Sequence, residues 1–151
     1  MNDIDFQNII LNFEKIIGST LDFSQSDTAE VIFNNIVVGI RPLKKDGTIT
    51  FSSVIADELP DPISEALLLE ILNLNAVPEA NYGGNAPVIA QDPKTGFIFV
   101  YEILTPSALR TQTLFNHFSE FVRYAIELRE HIADNTFVKN YTTIDHNAIL
   151  V

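Results

Sequence analysis

The stretch that most constrains this chain runs from Pro62 to Asn75. Asp61-Pro62 reads as an N-cap followed by proline at the first helical position. At 100° per residue, Ile63, Leu67, Ile71 and Leu74 occupy one side of the resulting helix. Leu68, Leu69 and Leu72 occupy much of the other. A helix that is apolar almost all round cannot lie on a sheet with one side in water. It is sandwiched within the monomer or buried by a second subunit, and Leu67, Leu68, Ile71 and Leu72 are the candidate dimer contacts.

The elements around it have ordinary signatures. Phe6, Ile9, Ile10, Phe13, Ile16 and Ile17 form a stripe that predicts a helix over 3–17, stopped by Gly18. Ile4 and Leu11 fall outside that stripe, among Asn8, Asn12, Glu14 and Lys15. Residues 19–28 are rich in turn formers. Three strands follow, at 30–33, 36–43 and 48–56, joined by Asn34-Asn35 and by Lys44-Lys45-Asp46-Gly47. Pro42 near the end of the second suits an edge or a bulge. Beyond the leucine-rich helix, residues 76–85 read as a loop and 86–91 as a strand. Asp92 to Gly96 form a turn, and 97–104 form a strand apolar on both sides, hence expected to be covered on two sides. A single long helix is expected from Thr105-Pro106 to about Asp134. Residues 135–151 read as a mobile tail. The fold class is therefore α+β, in the order α-β-β-β-α-β-β-α, with one domain over 1–134.

Composition sets the class of partner. The chain has 151 residues, enough for one domain with a real core. Its formal net charge is −11 and its pI is near 4.4, which argues against nucleic acid or an anionic membrane surface. A hydrophobic fraction of 46% and a mean hydropathy of +0.16 are high for so charged a chain. Either the core is dense or part of the apolar surface is hidden in a partner. With no cysteine, disulfides and thiol chemistry are excluded. No basic segment precedes the first apolar residues, and no apolar run reaches 18 residues, so neither a secretory signal nor membrane insertion is expected.

Positive signs of catalysis are missing. His117 with Glu120 and Glu127 with His131 are spaced to share a helix face, but about 10 Å of helix separates the pairs. Two ligands do not make a metal centre. Gly83-Gly84 lacks a phosphate-loop pattern, and no Gly-x-Ser-x-Gly elbow occurs. Neither an enzyme nor a cofactor is expected. A small-molecule site near His117 and Tyr124 is the catalytic alternative.

The order of elements resembles the class I type III secretion chaperones, the Tir-chaperone family. Leu59-Pro60, then Leu67-Leu68-Leu69-Glu70-Ile71-Leu72-Asn73-Leu74-Asn75, resembles its post-strand proline and its leucine-rich helix ending in Leu-x-x-Asn. Gly83 to Ala90 resembles its glycine loop and fourth strand. Asp92-Pro93-Lys94-Thr95-Gly96-Phe97-Ile98-Phe99 resembles its hairpin turn. The similarity spans residues 4–134, with Pro42 and the tail as departures. The resemblance implies a cytoplasmic bacterial homodimer that binds the N-terminal segment of a secreted effector and keeps it non-globular for export. It also implies contact with the secretion ATPase. A groove between the first helix and neighbouring strands then holds the effector, with Ile4, Leu11, Val31, Phe33, Val37 and Val38 as candidates. Strand register cannot be read from the sequence, and half of the hairpin residues are expected to face the core. An α+β adaptor that binds a folded partner is the alternative reading.

Overall fold

The computed structural model describes residues 5–76 and 87–135. Asp5 caps the first helix, α1 (Phe6–Ile17), its carboxylate accepting from the Asn8 amide at 3.1 Å. Gly18 ends α1 in the left-handed conformation at φ 72°. Three strands then form the expected meander: β1 (Ala29–Phe33), β2 (Ile36–Leu43) and β3 (Thr48–Ala56). Asn34 and Asn35 both take positive φ, as a type I′ turn demands.

The leucine-rich helix, α2 (Glu65–Ala76), starts three residues later than the sequence suggests. Ser64 provides its cap, with Oγ accepting from the Leu67 amide at 3.1 Å. Strands β4 (Val88–Gln91) and β5 (Ile98–Leu104) complete an antiparallel sheet in the order β1-β2-β3-β5-β4. The expected long final helix is two helices, α3 (Pro106–Thr111) and α4 (Leu114–Asp134), with Gln112 extended between them. The break has a local cause. Thr113 turns its hydroxyl to the Asn116 amide at 3.2 Å and starts a second helix, just as Thr105 caps the first through Ala108.

Helix α4 covers one side of the sheet. Its Phe118 ring meets Phe13, Phe33 and Phe51 edge-on, with centroids 5.2, 5.7 and 5.8 Å away. Alternate residues of β2, β3 and β5 (Val38, Ile40, Ile49, Phe51, Ile98, Val100 and Leu104) complete that core. The opposite side of the sheet is barer than the sequence implies. Val37, Val54 and Ile103 are exposed there, while Phe99 and Tyr101 are half-buried. Among the described residues, strand β5 has strands on both sides and helices on one of its faces, where the sequence leads one to expect cover on both. Its second apolar face has no cover from the described residues.

Helix α2 is attached by polar clips as much as by packing. Asn135 accepts from the Ser64 amide at 2.7 Å and donates to the Pro62 carbonyl at 2.9 Å. Glu70 pairs with His131 at 3.1 Å. Composition assigns Asn135 to the tail, yet it caps α4 in the left-handed conformation and holds the start of α2. Residues 136–151 lie outside the described residues.

Candidate functional site

Between α1, the 19–28 loop and the β2–β3 turn lies a groove of about 730 Å³. Phe6, Ile10 and Leu11 supply one wall, Leu21 and Phe23 a second, Pro42 and Leu43 a third. The groove exists because α1 is amphipathic over more than its core stripe. Phe6 and Phe13 are buried, whereas Leu11 stands 53% exposed along the opening. The loop wall is pinned by Glu14, whose Oε2 accepts from the Leu21 amide at 2.6 Å. Asp27 borders the groove and is held by Arg41, 3.1 Å away. Lys44 and Lys45 stand exposed at the rim.

Among the described residues, the two ends of the sheet differ. At β4, Asn75 occupies the edge by hydrogen bonding both the amide and the carbonyl of Ile89. Among the described residues, strand β1 has a neighbouring strand on one side only. An unpaired strand edge is a template for an added strand.

The hairpin candidates divide by register. Ile32 pairs with Val37, and Val31 with Val38. Val31 and Phe33 are half-buried against the core, and Val37 is exposed on the barer sheet face. Val38 is fully buried among core residues, so it leaves the candidate set. Ile32 is 74% exposed and enters it. Its signal in the sequence is simple alternation, which cannot say which side is the core. Ile4 lies outside the described residues. Phe23, Pro42 and Leu43 are further groove residues that sequence reasoning misses. Leu21 and Phe23, two apolar residues alternating within a polar loop, are the available clue.

The dimer candidates divide in the same way. Leu67 is fully buried in the monomer core and presents no surface there to a second subunit. Ile71 is half-buried against that core. Leu68, Leu69 and Leu72 are exposed, the last at 56%. With Leu74 also half-buried against the core, α2 is left with Leu68, Leu69 and Leu72 as an apolar face uncovered by the described residues.

A sequence model of the Tir chaperone protein (CesT) family matches residues 8–129. The chain belongs to that family. It is a family of chaperones and not of enzymes. Among solved structures, a chain of the HopA1–SchA chaperone–effector complex is similar at a TM-score of 0.64 and 16% identity. That match covers 83% of this chain and 93% of the other. A chain of the ExsC–ExsE complex is similar at a TM-score of 0.59 and 14% identity, covering 84% and 92%. These likenesses place the fold. Among curated proteins, none matches this chain.

Within this CesT-family chaperone His117 and His131 make contacts that tie helices together. The His117 ring donates from Nε2 to the Ala108 carbonyl at 2.9 Å, linking α4 to α3, and His131 faces Glu70. Among the described residues no three His, Asp or Glu side chains are grouped to hold a metal ion. Glu102 is the unexpected group. It points from β5 into the helix-covered side, where burial, reinforced by the charge of Glu120, pushes its carboxyl up to about 8. No described helix is long and apolar enough to cross a membrane.

Proposed function

We propose that this protein is a cytoplasmic bacterial chaperone that binds the N-terminal segment of a type III secreted effector and keeps it non-globular for export. The observation that carries this reading is the apolar groove beside α1, with Leu11 on its opening and the unpaired β1 edge close by. Asp27 borders the groove and lies two residues before β1 begins at Ala29. A non-globular segment suits such a site: side chains enter the groove while its backbone hydrogen bonds to the edge. Family membership supports the reading, as does the likeness to chains of the HopA1–SchA and ExsC–ExsE complexes, the first described as chaperone with effector.

The working form in this proposal is a homodimer joined through Leu68, Leu69 and Leu72 of α2, with the secretion ATPase as the later recipient. Exposed leucines on a helix tied down by polar clips favour a second copy there, because a soluble monomer has little reason to expose three together. Isothermal titration with the N-terminal segment of an effector, beside the folded domain of the same effector, tests the proposal. Binding to the segment alone supports it. Binding to the folded domain alone supports an adaptor instead.

A further inference from the structure

The groove does not share the charge of the molecule. The chain carries −11, yet Lys44 and Lys45 stand together at the groove rim. The two carboxylates that line the groove are engaged within the protein. Glu14 takes the Leu21 amide, and Asp27 takes the Arg41 guanidinium. Neither lysine side chain has an ion-pair partner among the described residues, and both are exposed on the turn between β2 and β3. The remaining walls are largely apolar. The site therefore offers apolar walls with two exposed lysines at one end, with Asp46 after them in the same turn, on a chain whose net charge is −11.

We propose that the groove selects segments whose apolar anchors are flanked by acidic side chains, and that Lys44 and Lys45 set this preference. This rests on the reading of the groove as the effector site and names the chemistry of its occupant. Because the lysines sit at the β2–β3 turn and not along α1, the acidic flank lies at that end and the segment binds in one direction. The overall field of the protein works the other way, favouring basic segments at long range. Close ion pairs at the rim outweigh it only within the groove, over distances shorter than the roughly 8 Å Debye length of physiological salt.

The test uses the full chain and two synthetic peptides with identical leucine anchors, one flanked by Asp-Glu and the other by Lys-Arg. Fluorescence anisotropy should show the acidic-flanked peptide binding about three- to tenfold more tightly, as expected for two partly exposed ion pairs. Lys44→Glu with Lys45→Glu should reverse the order, and Lys94→Glu, on the β4–β5 turn, should not. Raising the salt should shrink the preference. Equal binding of the two peptides, each still weakened by Leu11→Asp, overturns the charge rule and leaves the effector-groove reading standing. Tighter binding of the basic peptide also overturns the rule. Binding of neither peptide removes the groove reading and the rule with it. A change in dimer mass on Lys44→Glu with Lys45→Glu would identify a second copy as the occupant and overturn the proposal.

Discussion

The side chain of Asn75 acts as a strand neighbour for Ile89. Its Nδ2 donates to the Ile89 carbonyl at 2.8 Å, and its Oδ1 accepts from the Ile89 amide at 3.0 Å. One amide thereby closes the β4 edge and fastens the end of α2 to the sheet. Asn75→Ala should leave two partly buried backbone groups unpaired and cost about 1–3 kcal/mol. Urea denaturation checks this, and an unchanged midpoint would show that water replaces the side chain without loss.

Leu11→Asp should weaken effector binding at least several-fold, the loss of about 1–2 kcal/mol expected for an apolar anchor in a groove. Its thermal melting should stay near wild type, because Leu11 is already half in water. Titration calorimetry and a melting curve on the same sample decide it. A collapsed melting temperature would place Leu11 in the core.

Leu68→Asp with Leu72→Asp should convert a dimer to a folded monomer of 16.9 kDa by light scattering, with its circular dichroism unchanged. Both side chains are exposed in the monomer, so a charge there is desolvated only by a partner. Leu67→Asp should instead unfold the protein, since that position is fully buried. A wild-type mass near that of one chain at all concentrations would contradict the dimer.

Glu102 makes stability depend on pH. Its folded value of about 8 lies above the ordinary 4.5, so between those values the native state holds a proton that the unfolded chain has released. Stability from this group is therefore fully present below about pH 4.5, falls as pH rises, and levels off above 8. Glu102→Gln removes the ionisation. It should be more stable than wild type at pH 8 by about 2–4 kcal/mol, with the difference nearly gone at pH 5. Urea titrations of both proteins at the two pH values measure it. A constant difference would show that Glu102 is ionised in the fold.

Much of this architecture is legible in the sequence because its punctuation is chemical. Gly18, Asn34-Asn35, Gly47 and Gly96 all take the positive φ that their residue types favour, and each ends or joins an element where expected. Sidedness is harder. Alternation along 30–33 and 36–43 shows two faces but not which is the core, so Val38 and Ile32 exchange roles. Capping competition is also hidden: Thr105 and Thr113 are both residue types that cap helices, and the apolar pattern running through both does not say that the second cap interrupts the helix. The α2 pattern, apolar all round, agrees with its three exposed leucines but cannot show that Leu67 alone is fully buried by the monomer. Glu102 is invisible in sequence, since a single acid in an apolar strand reads as a solvent-facing residue.

The most direct test of effector capture is hydrogen exchange on an effector's N-terminal segment, alone and with this chaperone, with α1 and β1 monitored in the same experiment. Binding should protect α1 residues 6–17 and the β1 edge. The segment should gain protection only where it touches the chaperone, while its other amides exchange as in an unfolded chain. Protection throughout the segment, as in an independently folded domain, or no change at α1 and β1, would contradict capture in the groove.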